Sequence, residues 1–248
     1  MARMVDVIAR LPHPLLSHLR VVTGHEHSLV AVDDWLELDR AVRSFPADVV
    51  IADPRADGTV RTLELEALLA RYSTLPLVLY TTLTPETLKA TARLAKHGVH
   101  QVVIRGFDDE PHRFRVVLDR LSAYDVSDGL LDGLAEPLTR VPLALARALE
   151  RLFRMPHSFH EVNDLAEAAG MSRRTLDRWL QRAELAPARV MLIGARLARA
   201  YYYMRDPGYL LEEVTKKLGF SAGRLFARQV RSVTGLTPSA LRRQRMGA

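Results

Sequence analysis

One spacing in the C-terminal half constrains this chain more than any other feature. Ala166, Gly170 and Leu176 follow one another at intervals of four and then six, and Thr215, Gly219 and Leu225 repeat that order. The spacing has a mechanical cause. Two helices that cross steeply need a small residue at the crossing, a glycine in the tight turn, and an apolar anchor on the second helix. Ser172 and Ser221 are placed to cap the second helices, since a serine oxygen accepts an otherwise unpaired N–H of the first turn. The pattern therefore predicts two helix-turn-helix units with their turn glycines 49 residues apart. A helical run from Ala188 to Met204, ended by Pro207-Gly208, joins them.

The residues left outside each apolar pair are mostly cationic. Leu176 and Leu180 face inward at i, i+4, which sends Arg173, Arg174, Asp177, Arg178 and Gln181 outward. Phe226 and Val230 form the matching pair downstream, and Arg224, Arg228 and Arg231 project away from them. Arg173 and Arg174 sit in a first helical turn, where positive charge opposes the helix dipole by a few tenths of a kcal/mol. A local rule broken in this way is expected where the partner is an anion.

Charge segregates along the chain. Residues 1–136 hold 15 Lys+Arg against 20 Asp+Glu, a net −5; residues 137–248 hold 20 against 9, a net +11. An acidic half joined to a basic one suggests a control module attached to a polyanion binder. The basic half carries 18 Arg and 2 Lys. A GC-rich coding bias accounts for much of that preference but not for the segregation of sign.

These motifs resemble the AraC/XylS family of transcription regulators over about Phe159 to Arg243. The first unit matches in Leu165-Ala166, Gly170, Ser172, Leu176 and Arg178. The connector matches in Ala195 through Ala200, and the second unit in Leu218-Gly219-Phe220-Ser221 and Phe226-Ala227-Arg228. The close, Thr234-Gly235-Leu236-Thr237-Pro238-Ser239, is the most distinctive stretch. The resemblance implies double-stranded DNA as partner, with two recognition helices in successive major grooves about 34 Å apart. It nominates Arg174, Asp177 and Arg178 in the first helix, and Gly223, Arg224, Ala227 and Arg228 in the second. Gly223 and Ala227 offer no side-chain donors, so the first helix is expected to read sequence and the second to grip backbone.

The first half alternates short apolar runs with helical patterns. Strands are expected at Val5–Ala9, Ser28–Val32, Asp48–Ala52, Leu77–Thr81 and Gln101–Ile104. Helices are expected near 14–22, 34–44, 62–72, 84–97 and 110–123. Five such units imply a doubly wound parallel sheet covered by helices on both faces, joined to an all-α C-terminal domain.

That order resembles the receiver domain of response regulators over residues 1–124. Pro46 to Asp53 matches the strand that ends in the phospho-acceptor, Thr81 the hydroxyl after the fourth strand, and Arg105 the position of the usual lysine. The departures are specific. The first strand ends in Ala9-Arg10 where receivers hold magnesium with an acidic pair, and a guanidinium there repels the cation. Gly106 replaces a usual proline, and Asp33-Asp34 reads as a helix cap. This half is therefore expected to be a pseudo-receiver in which Arg10 or Arg105 holds Asp53 in an ion pair. The plainer reading has Asp53 capping the turn before Pro54.

A connection is expected at 125–136, then an extra amphipathic helix at 137–154 leading the DNA-binding domain 137–248. The basic face of that helix, Arg140, Arg147, Arg151 and Arg154, reads as solvated or as a dimer contact. A homodimer in the cytoplasm is expected, with RNA polymerase as a further partner. The rival readings are a true phospho-aspartate regulator and a protein-interaction adaptor without DNA binding.

Other chemistry finds little support. Cysteine is absent, which excludes disulfides and cysteine-ligated zinc. The closest histidine pairs, His25/His27 and His157/His160, have no carboxylate on a shared periodic element, so neither metal nor cofactor is expected. Of Tyr201, Tyr202 and Tyr203, which could stack on bases, one or two read as core at the end of a packed helix. No glycine-rich phosphate loop, no Gly-x-Ser-x-Gly and no catalytic pair points to an enzyme. The longest apolar runs are strand-length, and no N-terminal leader pattern is visible.

Overall fold

The computed structural model describes residues 5–24, 27–122 and 126–246. They divide into two compact units, Met1–Tyr124 with Asp206–Tyr209, and Asp125–Arg205 with Leu210–Ala248.

The first unit alternates strand and helix throughout: β1 (Asp6–Arg10), α1 (His13–Thr23), β2 (Ser28–Ala31), α2 (Trp35–Ser44), β3 (Val49–Ala52), α3 (Thr62–Arg71), β4 (Leu77–Thr81), α4 (Pro85–Ala95), β5 (Gln101–Ile104) and α5 (Pro111–Ser122). All strand pairs are parallel, in the order β2-β1-β3-β4-β5. The central strands β3 and β4 are buried along their whole length, as a sheet covered on both faces requires, whereas the edge strand β2 is not. Val7, Ala9, Val49, Ile51, Val78 and Tyr80 share one core with Leu15 and Leu19 of α1 and Phe114 and Leu118 of α5. Their alternates Ile8, Val50 and Leu79 are also buried and point to the opposite face by the two-residue strand period. Caps hold the helices in register: Asp34 accepts the N–H of Glu37 at 2.6 Å, and Thr84 with Thr87 forms a reciprocal box ahead of Pro85. This doubly wound order places β1 and β3 at the point where the winding reverses, and sites in such sheets form at the strand C-termini beside it. The unit has the receiver-like architecture.

The second unit is helical: α6 (Val126–Thr139), α7 (Leu143–Arg154), a single 3-10 turn (Pro156–Ser158), α8 (Val162–Ala168), α9 (Arg173–Arg182), α10 (Ala188–Tyr203), α11 (Leu211–Lys217), α12 (Gly223–Thr234) and α13 (Pro238–Met246). The structure differs here from the expected connection at 125–136 and the single helix at 137–154. The first stretch is helical from Val126, and the second is broken at Arg140–Pro142. Leu131, Leu134 and Leu138 of α6 form an apolar face that packs on the core of this unit, and that burial overrides the weak propensity of Gly129 and Gly133. Pro142, extended at φ −54° and ψ 143°, ends the break and starts α7. Ser127 Oγ donates to Phe153 O at 2.8 Å, and Arg154 bridges Asp128 at 2.7 Å and Glu150 at 3.1 Å, which ties α6 to α7. Arg140 pairs with Glu136 and Glu184. Much of the basic face expected on this helix is thus neutralised within the unit. Asp125 and His25 lie outside the described residues. No helix among the described residues is long and apolar enough to cross a membrane.

Candidate nucleic-acid interface

Two helix pairs of the second unit build the site. In the first, α8 and α9 meet through Gly170, whose φ of 62° is the left-handed conformation that favours glycine. Met171 N then donates to Ala166 O at 3.0 Å, and the Ser172 hydroxyl caps α9 by accepting the N–H of Thr175 at 3.2 Å. Leu176 and Leu180 are buried against the core shared with α7 and α10. Arg173, Arg174, Asp177, Arg178 and Gln181 all remain exposed.

The second pair copies the first turn and then departs from it. Gly219 has φ 71°, and Phe220 N donates to Thr215 O at 3.2 Å. A Cβ at Gly219 would also lie 3.1 Å from the His160 ring, a tight contact that adds to the conformational preference for glycine there. Beyond this point the chain takes one extra residue: α12 starts at Gly223 with Ala222 as its N-cap, so Ser221 is not the cap and no side chain replaces it. The anchor moves with it. Phe226 is 2% exposed and Val230 fully buried, while Leu225 is only half-buried. The spacing is therefore four-then-six in the first pair and four-then-seven in the second. Corresponding residues of α9 and α12 lie 50 positions apart, which aligns Leu176 with Phe226, Arg174 with Arg224 and Arg178 with Arg228. Thr215, at the crossing where a smaller residue is usual, folds its hydroxyl back onto Leu211 O at 2.7 Å and so satisfies it locally. Arg224, Arg228 and Arg231 are exposed, as is Gly223, and Ala227 is half-buried.

The connector α10 is an unbroken run of 16 residues, about 24 Å at 1.5 Å per residue. Ala188, Met191, Leu192, Ala195, Arg196, Arg199, Ala200 and Tyr203 form its buried face. Tyr203 is core as expected, and Tyr201 and Tyr202 are half-buried.

Residues 165–244 match the helix-turn-helix domain family. The C-terminal unit carries an AraC-type helix-turn-helix domain. Joined to a receiver-like domain, a helix-turn-helix domain is the build of a DNA-binding regulator. None of the curated proteins matches the chain. Solved structures resemble parts of it at low identity. A DNA-binding transcriptional dual regulator from Escherichia coli K-12 is 19% identical over 43% of this chain and 96% of its own, with a TM-score of 0.38. Full-length FixJ from B. japonicum is 15% identical over 95% of this chain and 100% of its own, with a TM-score of 0.42. A chemotaxis response regulator from Vibrio cholerae is 17% identical over 48% of this chain and 98% of its own, with a TM-score of 0.39.

The receiver-like domain gathers its own polar residues at the C-terminal ends of β1, β3 and β4. Asp53 is 3% exposed; its Oδ1 accepts the Thr81 hydroxyl at 2.8 Å and the Arg55 N–H at 2.9 Å. Burial pushes its carboxyl above the usual range, against the pull of the Arg55 N–H and the Thr81 hydroxyl. The expected ion pair to Asp53 is not formed. Arg10 is bonded to Asp57, which also accepts the Trp35 indole N–H at 2.7 Å, and the guanidinium lies 5.7 Å from the Trp35 ring centre. Arg105 is exposed and contributes no bond to Asp53. The Arg55 contact is a turn cap of the plainer kind weighed above. No motif singles out Asp57 or Trp35; the one sequence signal was the arginine at the end of β1, which had to find an acid. Among the described residues no cluster of His, Asp and Glu could hold a metal ion.

Proposed function

We propose that this chain is a sequence-specific transcription regulator of the AraC/XylS type, which binds double-stranded DNA by placing α9 and α12 in successive major grooves. One observation carries the reading: two helix-turn-helix pairs, joined by one rigid helix, leave Arg173, Arg174, Arg178, Arg224, Arg228 and Arg231 exposed outside their buried anchors. Exposed guanidinium groups suit both phosphate and guanine edges. Asp177 and Gln181 complete the polar face of α9.

The domains are residues 1–124 for control and 137–248 for DNA, and the connecting stretch 125–136 lies largely in α6, which packs on the second unit. Control is independent of phosphorylation, because Arg10 stands where a magnesium site needs an acid and Asp53 is enclosed with Thr81. The protein acts in the cytoplasm as a homodimer, meets RNA polymerase at its promoters, and is not an enzyme.

Selection of genomic fragments by the purified protein, followed by sequencing, tests the reading. A single enriched motif is expected, bound with an affinity that falls steeply as salt rises. No enrichment, with salt-independent capture of protein partners instead, would make the chain an adaptor.

A further inference from the structure

Three arginines of the second unit converge on a cavity of about 310 Å³. Arg173 reaches it from the first turn of α9, Arg189 and Arg196 from α10, Asn163 from the first turn of α8 and Gln229 from α12. Both helix-turn-helix pairs and their connector therefore contribute to its wall. Glu161, the carboxylate on the same wall, is solvent-exposed.

Arg196 is the informative member. It is 8% exposed and lies 5.1 Å over the Phe220 ring. Its Nη2 donates to the carbonyl oxygens of Phe159 and, at 3.0 Å, His160. Its Nε is buried with no hydrogen-bond partner. Asp164 acts on it only through space, and its Oδ2 accepts the N–H groups of His160 and Glu161. Burial accordingly draws the guanidinium below its ordinary pKa. Across the cavity the Gln229 Oε1 is also buried without a partner, and an amide can turn its NH₂ toward an anion instead. A buried cation without a counter-ion is unfavourable, and the same group becomes a strong oxyanion ligand once an anion arrives.

We propose that this cavity is a phosphate site, filled by a backbone phosphodiester where bound DNA passes between α9 and α12. The proposal rests on the DNA-binding reading above. Helices in adjacent major grooves straddle the minor groove between them, so its phosphates face the connector that carries Arg189 and Arg196. A free phosphate offers the same chemistry, and the experiment separates the two sources.

The full-length protein is titrated with its selected duplex and with a scrambled one over a range of salt, as wild type, Arg189→Ala and Arg196→Gln. Each variant is expected to weaken both duplexes by the same factor and to flatten the logarithmic salt slope by about one. A neutral methylphosphonate at the matching central phosphate should weaken the wild type and leave Arg189→Ala unaffected. In parallel, the melting temperature is followed against inorganic phosphate. A saturable rise that is lost in Arg189→Ala, with unchanged DNA slopes, would assign the cavity to a free anion and overturn the DNA assignment. Unchanged slopes together with no such rise would overturn the site altogether. Arg189 is exposed, so its variant decides the matter even where Arg196→Gln does not fold. Failure of the wild type to bind any duplex would instead sink the DNA-binding reading, and the phosphate titration would then judge the cavity alone.

Discussion

Thr81 donates its hydroxyl to Asp53 Oδ1 across 2.8 Å, at the place where a receiver would accept a phosphoryl group. The same oxygen takes the Arg55 N–H, and the strand beside it ends in Arg10, which is bonded to Asp57. Phosphoryl transfer to a carboxylate needs a divalent cation to neutralise developing charge, and a guanidinium in that position disfavours one. Purified protein incubated with acetyl phosphate and magnesium should therefore keep its mass. Gain of about 80 Da, the mass of one phosphoryl group, that disappears in Asp53→Asn would restore the phospho-regulator reading.

Asp53 also makes a prediction for stability. Its folded pKa is raised by burial, so the folded state binds its proton more tightly than the unfolded state. Stability associated with that proton is present at low pH and is lost as pH rises through the folded pKa. Asp53→Asn keeps an oxygen to accept from Thr81 and Arg55 but cannot ionise. The variant should melt higher than the wild type at neutral pH, with the difference shrinking toward zero as the medium becomes acid. Melting temperatures from pH 3 to pH 8, on the order of the carboxylate range and above it, would show this; a difference that grows on acidification would contradict it.

The sheet was readable because its central strands β3 and β4 are buried on both faces and therefore spell unbroken apolar runs, such as Leu77 to Tyr80. The turns were readable because Gly170 and Gly219 meet a backbone requirement that little else satisfies. What escaped depended on packing. Leu131, Leu134 and Leu138 stand at helical spacing, but Gly129, Gly133 and Pro137 among them weaken the local propensity, and burial of that leucine face offsets it. The choice of Arg10 for Asp57 over Asp53 depends on side-chain reach across a sheet edge, which residue order does not encode. The inward pair Phe226 and Val230 was legible from its i, i+4 spacing, but the extra residue before α12 was hidden because Leu225, also apolar, completes a four-then-six repeat.

That extra residue can be tested directly. Phe226, 2% exposed, packs against Phe220 at a ring separation of 5.3 Å. Its replacement by alanine should destabilise the domain by about 3–5 kcal/mol. Leu225→Ala, at a half-buried position, should lose no more than about 1 kcal/mol. Urea unfolding of the two variants gives both values. The reverse order would mean that the second pair follows the four-then-six spacing after all.

The last prediction separates the two recognition helices. Arg174 in the first turn of α9 stands among donors and acceptors suited to base edges, with Asp177 and Arg178 beside it. At the positions 50 residues on, α12 keeps Arg224 and Arg228 but has Ala227 in place of Asp177, and its first residue is Gly223 where α9 begins with Arg173. A helix that lacks those side chains has less to read with and holds its place mainly through phosphates. Arg174→Ala should relax discrimination at one base pair by about 1–3 kcal/mol and leave other positions as they were. Arg228→Ala should weaken selected and scrambled duplexes alike and reduce the salt slope by about one. Binding measured on a panel of single-base variants at two salt concentrations distinguishes these outcomes. Equal losses of discrimination from the two substitutions would show that α12 reads sequence as α9 does.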